Sequence, residues 1–359
     1  MTPKERVLAA VAHRQPDRVP VDYGAHPQVN VALRQHLGLT DDADLLRVLE
    51  TDLRGVGPAI KQQASPICYA DPTQAVTEDG LYVDLWGVGF QRIATETGEY
   101  VDVAHHPLRQ ATTSDEIETH PLMEPDDWDY TPIRPAAEAQ AEWAVWVHSR
   151  GTFEISWFIR GLDALMTDLA LEPQRACRLM DRVQERLEER LGRILEAGGD
   201  AVDLAEYNDD VGMQDGLLMS PDMWRRYLKP RTGRLFDLIR SYGQRVRYHS
   251  CGGVRDILPD LIDLGLDILT PFQPLAAGME PVALKRDFGR HLTLHGGIDM
   301  QDLLPHASPQ QVADEVRRLM EVLNEDGGWI ACSSHNLQPD TPPGNIVSMY
   351  ETLLGHPLR

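Results

Sequence analysis

The stretch that decides the fold reads Val246-Arg247-Tyr248-His249-Ser250-Cys251-Gly252-Gly253. It predicts a buried strand that ends in a glycine turn and leads into a helix. Successive side chains of a strand point to opposite faces, so His249 and Cys251 share one face at the strand's carboxyl end. Imidazole and thiolate form a zinc-type ligand pair. A second pair, Cys332 and His335, ends the last strand-like segment, and we expect the fold to bring both pairs together around a metal.

Strand-like segments alternate with helical ones along most of the chain, which predicts parallel strands joined by right-handed crossovers. The predicted strands cover residues 18–23, 53–58, 144–148, 201–206, 246–251, 267–272, 292–297 and 329–334. The predicted helices cover residues 2–14, 28–37, 42–50, 161–170, 172–198, 220–242, 254–264, 280–289, 308–325 and 343–354. Eight strands close most simply into an α/β fold of the (β/α)8 TIM barrel type, which accommodates a chain of 359 residues as one domain.

An insertion interrupts this pattern at about residues 60–140. Two alternating segments, 81–90 and 100–103, are flanked by the turn signals Glu78-Asp79-Gly80 and Thr97-Gly98-Glu99. The sequence therefore predicts a single barrel domain over residues 1–359 with an N-terminal antiparallel β insertion.

The composition excludes several classes of partner. The formal charge of −22 argues against nucleic acid and against anionic membranes, because both require clustered Lys and Arg. No apolar segment approaches the ~20 residues that span a bilayer, and the N-terminus shows no signal-peptide pattern. Four cysteines without a secreted-type spacing indicate reduced thiols. We therefore expect a cytoplasmic protein.

Polar residues cluster where the predicted strands end, and this rim carries the chemistry in such barrels. One cluster, Asn208-Asp209-Asp210, follows the strand that ends at Glu206. Another includes His295, and the last includes Cys332, His335 and Asn336. Each cluster alone is weak, since polar loop residues are common; their coincidence at one rim predicts a site.

The motifs resemble those of the uroporphyrinogen decarboxylase superfamily. The resemblance rests on His249-Ser250-Cys251-Gly252-Gly253, on residues 334–343, on residues 208–214 with Met219-Ser220-Pro221, and on the opening residues 4–21. It covers essentially the whole chain and implies the barrel fold.

The superfamily has two branches that this sequence separates. True uroporphyrinogen decarboxylases carry arginines after the first strand, which hold the carboxylates of the tetrapyrrole; residues 22–28 contain none. The other branch contains zinc-dependent methyltransferases that act with a corrinoid protein and use a His-x-Cys pair. The resemblance therefore implies zinc held by His249, Cys251 and either His335 or Cys332.

Other candidate site residues follow from their positions. Glu206 and Asp210, with Asp209 in reserve, are candidates for orienting ligands or handling protons in catalysis. The candidate substrate-binding residues are Asn208, Tyr23, Arg160, His295 and Asn336. The expected function is methyl transfer between a small methylated compound or thiol and a corrinoid protein. The alternatives are a metal-free decarboxylase or lyase acting on a smaller acid, and a non-catalytic ligand-binding barrel.

Overall fold

The structure is a computed structural model, which describes residues 1–61, 80–94 and 99–358. Its α-helices are α1 (Pro3–Val11), α2 (Pro27–Leu37), α3 (Asp42–Val48), α4 (Ser114–Thr119), α5 (Ile133–Glu138), α6 (Thr152–Arg160), α7 (Leu162–Leu171), α8 (Pro173–Gly198), α9 (Pro221–Tyr227), α10 (Lys229–Ser241), α11 (Leu258–Asp263), α12 (Pro281–Phe288), α13 (Leu303–His306), α14 (Pro309–Leu323) and α15 (Pro343–Leu354). Its strands are β1 (Leu53–Gly55), β2 (Ala59–Ile60), β3 (Tyr82–Val83), β4 (Gly89–Ala94), β5 (Glu99–His105), β6 (Trp128–Asp129), β7 (Ala144–Arg150), β8 (Leu204–Asn208), β9 (Gly212–Met213), β10 (Gly216–Leu217), β11 (Arg245–His249), β12 (Ile268–Phe272), β13 (Thr293–Ile298) and β14 (Trp329–Ser333).

Seven parallel strands form the wall of the predicted barrel, in the order β1-β7-β8-β11-β12-β13-β14. The eighth position belongs to the segment around Val21, which bridges to Ala331 of β14. On its other side the Val21 carbonyl accepts a hydrogen bond of 2.8 Å from the Asp52 N–H, directly before β1. Pro20 has no N–H to extend the pairing, so the strand predicted over 18–23 is reduced to this short bridge. The α/β barrel prediction is confirmed.

The amino-terminal end of the barrel is closed by α1. Thr2 caps this helix in a capping box with Glu5, and Pro3 occupies its first turn, as the sequence predicts. Its buried Val7 packs in one cluster with the first residues of several strands, among them Leu53 and Ala144. Because this end is filled with apolar side chains, any substrate must enter from the carboxyl ends of the strands.

Most predicted helices are present, but one is divided, and the short helices α4, α5 and α13 were not predicted. The helix predicted over 220–242 is two helices, α9 and α10, since Pro230 in the first turn of α10 cannot continue the hydrogen bonds of α9. The sequence prediction also lacked α6, which follows Gly151 at the end of β7.

The predicted insertion contains antiparallel sheet, as expected. Strands β3, β4 and β5 form one sheet, and β2 pairs with β6. The segment 81–90 is not one strand, because Asp84 turns the chain by accepting hydrogen bonds from the N–H groups of Trp86 and Val88. The sheet contributes Phe90 to an apolar cluster with residues of α6 and α8. The predicted turn residues 78, 79, 97 and 98, and Cys68, lie outside the described residues.

Two further expectations concern cysteines and membranes. Cys177, Cys251 and Cys332 are free thiols. Within the described ranges, no helix combines the length and the apolar composition that crossing a bilayer requires.

Candidate metal centre

Three predicted ligands converge at the carboxyl end of the barrel. His249 ends β11, Cys251 lies in the turn behind it, and His335 follows β14. Their ligand atoms all lie within 4.8 Å of one another. The Cys251 Sγ–His249 Nε2 distance is 3.8 Å, and the two imidazole centroids are 6.2 Å apart. The structure thus brings together residues separated by 84 positions in the chain (335 minus 251).

The donor set and its spacing fit a zinc ion. Zn–S and Zn–N bonds of about 2.3 and 2.0 Å in a tetrahedron place ligand atoms about 3.6 Å apart. Burial, followed by the charges of Asp210 and Glu154, raises the pKa of the Cys251 thiol well above its ordinary value. A thiol beside two carboxyl groups lacks a positive charge, and a divalent cation supplies one.

The turn that carries Cys251 is fixed by its backbone. Gly252 has φ +77°, and a Cβ there would lie 2.5 Å from the Met213 backbone nitrogen, so a side chain is excluded. The Gly252 N–H donates to Gln273 Oε1 at 2.7 Å. The Cys251 N–H donates to Asp210 Oδ1 at 2.8 Å, and the same oxygen lies 3.8 Å from His249 Nε2. Asp210 therefore fixes the backbone of Cys251 by a hydrogen bond and places its carboxylate beside His249.

Asp209 has a different environment from Asp210. It is buried, and its carboxylate accepts hydrogen bonds from the Tyr207 hydroxyl and from the N–H groups of Phe153 and Glu154. Asp209 therefore caps the amino terminus of α6 from outside that helix. This location supports the fold of the site: the carboxylate of Asp209 caps α6, and its N–H donates to the backbone carbonyl of His249 at 2.9 Å.

Glu154 is a site residue that the sequence analysis missed. It is 6% exposed, and Asn208 donates to its Oε2 at 2.7 Å. Burial and the neighbouring carboxylates Asp210 and Asp209 raise the pKa of Glu154 to about 7, and Arg150 at 3.6 Å offsets them only in part. The available signal was an acidic residue just after a strand's carboxyl end. It was missed because α6 was not predicted.

Cys332 and His295 form a separate His/Cys group deeper in the barrel. Cys332 Sγ lies 3.3 Å from His295 Nε2, and the same nitrogen is 3.2 Å from Asp22 Oδ2. His295 Nδ1 contacts the Thr270 hydroxyl at 2.8 Å. Between the two candidates for the third ligand, the geometry thus places His335 with His249 and Cys251, and Cys332 with His295.

A cavity of about 700 Å³ connects the two groups. His249 and His335 border it at one side and Asp22, His295 and Cys332 at another. Tyr23 and Asn336, both predicted to bind substrate, also line it.

The cavity wall also holds a buried ion pair. Glu206 Oε2 lies 2.8 Å from Arg247 Nε, although the N–H does not point at the oxygen in hydrogen-bonding geometry. Burial raises the pKa of Glu206, but the charges of Arg247 and nearby histidines outweigh it and hold the pKa below its ordinary value. His148, 3.9 Å from Glu206, has its pKa lowered to about 4 by burial, and so is neutral at pH 7. The sequence analysis assigned no role to His148 or Arg247. Arg247 lies two residues before His249 in the same strand, so the two side chains share one face.

Two predicted substrate residues do not line this cavity. Asn208 donates to Glu154, as described above, and Arg160 lies elsewhere. Its guanidinium is buried in an ion pair with Asp168 at 2.9 Å and also donates to the Leu108 carbonyl. These partners lie between α6, α7 and the insertion, so the residue joins parts of the fold.

Comparisons with known proteins show which family this chain is related to. A sequence model described as uroporphyrinogen decarboxylase (URO-D) matches residues 59–355. Two uroporphyrinogen decarboxylases, from two strains of Thermus thermophilus, are each 29% identical over 184 residues, which is 49% of this chain and 48% of theirs. The chain thus spans about half the length of these curated relatives. A methyltransferase from Methanosarcina mazei has a similar structure, with a TM-score of 0.67 and 18% identity over 99% of both chains.

Proposed function

The chain belongs to the uroporphyrinogen decarboxylase family, and from this premise we propose that it is a zinc-dependent methyltransferase. In this proposal a methyl group moves between a small methylated compound, or a thiol, and a corrinoid carried by a partner protein in the cytoplasm. The observation that carries the proposal is the convergence of His249, Cys251 and His335 at the side of a cavity large enough for a small molecule.

The three converging side chains are the proposed zinc ligands. Three protein ligands leave the fourth tetrahedral position to a substrate, which is the arrangement of catalytic zinc sites. When bound, zinc would supply Lewis acidity that polarises a methylated heteroatom or favours the thiolate form of a thiol. Asp210 keeps the Cys251 backbone in place through the hydrogen bond described above, and its carboxylate lies 3.8 Å from His249 Nε2.

The proposed transfer moves a methyl group without its bonding electrons. One carbon–heteroatom bond forms or breaks, one cobalt–carbon bond does the opposite, and each electron pair stays with the atom that loses the methyl. A thiol acceptor also releases one proton. Glu154, with a pKa of about 7, can hold a proton near the site at neutral pH.

The decarboxylase alternative is less well supported by the cavity. A tetrapyrrole with eight carboxylates needs a set of cationic donors. Arg54 and Arg247 are the arginines among the described lining residues; Arg54 donates to Thr51 and Arg247 faces Glu206, and two arginines do not provide donors for eight carboxylates. The similarity to uroporphyrinogen decarboxylases nevertheless makes this activity the one to measure in parallel.

The proposal is tested with zinc-loaded protein in both directions of transfer. Methylcobalamin with 2-mercaptoethanol tests the thiol direction, and cob(I)alamin with methanol, trimethylamine, dimethyl sulfide or methoxybenzene tests the other, each followed by the cobalamin spectrum. We expect turnover in one direction that His249→Ala abolishes and that Cys177→Ala, a thiol outside the site, preserves. Zinc-loaded protein that transfers no methyl but decarboxylates uroporphyrinogen would refute the proposal.

A further inference from the structure

Arg247 carries donors that the protein leaves unused. Its side chain lies in the cavity wall, and the residue is 6% exposed. Neither Nε nor Nη1 has a hydrogen-bond partner. Within the described part of the chain, these are the unpaired buried donors that border the cavity. Buried polar groups are nearly always hydrogen-bonded, so unpaired donors in a cavity wall are available to a molecule that occupies the cavity.

The guanidinium is held in place by an aromatic ring. Its carbon lies 4.6 Å from the ring centroid of Trp146. Gly55 packs closely against the same ring, since a Cβ there would lie 3.1 Å from Trp146 Cζ2. A stacked guanidinium keeps its plane and therefore the direction of its donors.

The surrounding charges decide which ligand fits. One guanidinium faces two carboxylates, with Glu206 Oε2 at 2.8 Å and Asp22 Oδ2 at 3.9 Å, so the trio carries a net charge of −1. Both carboxyl groups keep low pKa values: burial opposes this, but Arg247 outweighs it at Glu206 and the hydrogen bond from His295 outweighs it at Asp22. Arg54, the other arginine of the lining, donates to Thr51 and to the Leu53 carbonyl, so at Arg247 a second anion would meet the repulsion of two carboxylates. An uncharged oxygen would instead complete the hydrogen bonding of Arg247.

The strand sets a distance between Arg247 and the metal centre. Arg247 and His249 are two residues apart in β11 and face the same cavity. Two residues of a strand span roughly 6.6 Å. This spacing is that of the Cα positions, so a small molecule bound to Arg247 lies in the same cavity as the metal centre.

We propose that Arg247 binds an uncharged oxygen (carbonyl, ether or hydroxyl) of the small methylated substrate, and that the trio with Glu206 and Asp22 excludes carboxylates. This inference rests on the proposed function for the identity of the substrate, but binding alone tests it. Trp146 acts as a positioning residue for the guanidinium.

The test uses two isosteric probes, 2-methoxyacetamide and methoxyacetate, with metal-free protein and ligand-detected NMR. They share the methoxy group and a carbonyl oxygen and differ in charge. We expect native protein to bind the amide at least about tenfold more tightly than the acid, and Arg247→Met to weaken amide binding by about tenfold, the effect of one charge-assisted hydrogen bond. Glu206→Gln should strengthen binding of the acid. Thermal melting confirms that each variant is folded, and Arg255→Met serves as an arginine control away from the cavity.

Several results would overturn the inference. These are equal binding of amide and acid, amide binding that survives Arg247→Met in a folded protein, and no saturable binding of either probe to native protein. Methyl transfer that fails while the Arg247-dependent preference is present would instead refute the proposed function and leave this site standing.

Discussion

The barrel holds two His/Cys groups that differ in their source of positive charge. The outer group is His249, Cys251 and His335, and the inner group is His295, Cys332 and Asp22. In the inner group, Arg247 faces the carboxylates Asp22 and Glu206, whose pKa values are low. In the outer group, burial and neighbouring carboxylates raise the pKa values of Cys251 and Glu154. Arg150, 3.6 Å from Glu154, offsets these carboxylates only in part, so a divalent cation would complete the charge balance of the outer group.

This difference teaches that a His/Cys pair in contact does not by itself make a metal site. His295 and Cys332 are closer together, at 3.3 Å, than His249 and Cys251, at 3.8 Å. Yet both nitrogens of His295 already face a partner, Thr270 or Asp22, and the Cys332 thiol also donates to the Ser333 carbonyl. Ligation needs free donor atoms that converge and a local shortage of positive charge, and the outer group meets both conditions.

The strongest test of this contrast is the loss of zinc from one group only. His249→Ala or Cys251→Ala should reduce bound zinc from about one per chain to less than about a tenth, because two ligands do not retain a catalytic ion. Cys332→Ala is the matched control and should keep zinc. Elemental analysis of protein purified without added metal measures it. If Cys332→Ala loses the metal and Cys251→Ala keeps it, the roles of the two groups are reversed.

A smaller effect is expected from the carboxylate that braces the outer group. Asp210→Asn keeps the acceptor for the Cys251 N–H but removes the charge, so zinc should bind about 10–100-fold more weakly. Competition with a chromophoric chelator measures the affinity. Asp215→Asn changes an exposed carboxylate in the adjacent hairpin and should have no effect. Unchanged affinity in Asp210→Asn would show that the brace contributes nothing to metal binding.

The barrel could be predicted from sequence because its signals are local. Alternating strand and helix segments and the capping residues of α1 are each visible within a dozen residues. What failed depended on tertiary contacts. Helix α6 begins at Gly151 without a side-chain cap of its own, since its cap is Asp209 from another segment. The strand at 18–23 was shortened by Pro20, and its pairing is set by β14 and Asp52.

The candidate site was predictable as a set of residues but not as an arrangement. Because alternate side chains of a strand share a face, the sequence predicted His249 beside Cys251. The family resemblance left two candidates for the third ligand, His335 and Cys332. Only the loop after β14 decides between them, because it turns His335 outward over the cavity while Cys332 stays in the strand. Arg247 could have been found from the same alternation, which puts it on the face of His249.

The burial of Glu154 beside the outer group also predicts a pH effect on stability. Glu154 has a pKa of about 7 in the folded protein and about 4.3 when unfolded, so the folded state holds an extra proton between these values. Stability from this group is present below pH 4 and is lost as the pH rises through 7. Glu154→Gln should therefore be more stable than native protein by about 2 kcal/mol at pH 8, and the gain should shrink towards pH 5.

Urea unfolding of metal-free protein at pH 5 and pH 8 measures this gain, with the exposed Glu138→Gln as the control variant. Zinc should reduce the pH dependence of native protein, since a nearby cation lowers the pKa of Glu154. A gain that is equal at both pH values would show that Glu154 is ionised throughout.

The smallest effect is expected in the inner group, at Thr270. His295 is buried and its pKa is lowered chiefly by burial, so at pH 7 the ring is neutral. With Nε2–H donated to Asp22, Nδ1 accepts from the Thr270 hydroxyl. Thr270→Val keeps the shape and removes this donor, which should cost about 1 kcal/mol of unfolding free energy. Zinc content and affinity should be unchanged, because the inner group has its cation in Arg247.

Urea unfolding and zinc titration of the same preparation measure both quantities, with Thr167→Val on the surface as the control. A Thr270→Val protein of native stability that has lost zinc would place the metal among Asp22, His295 and Cys332, and the contrast between the two groups would fail.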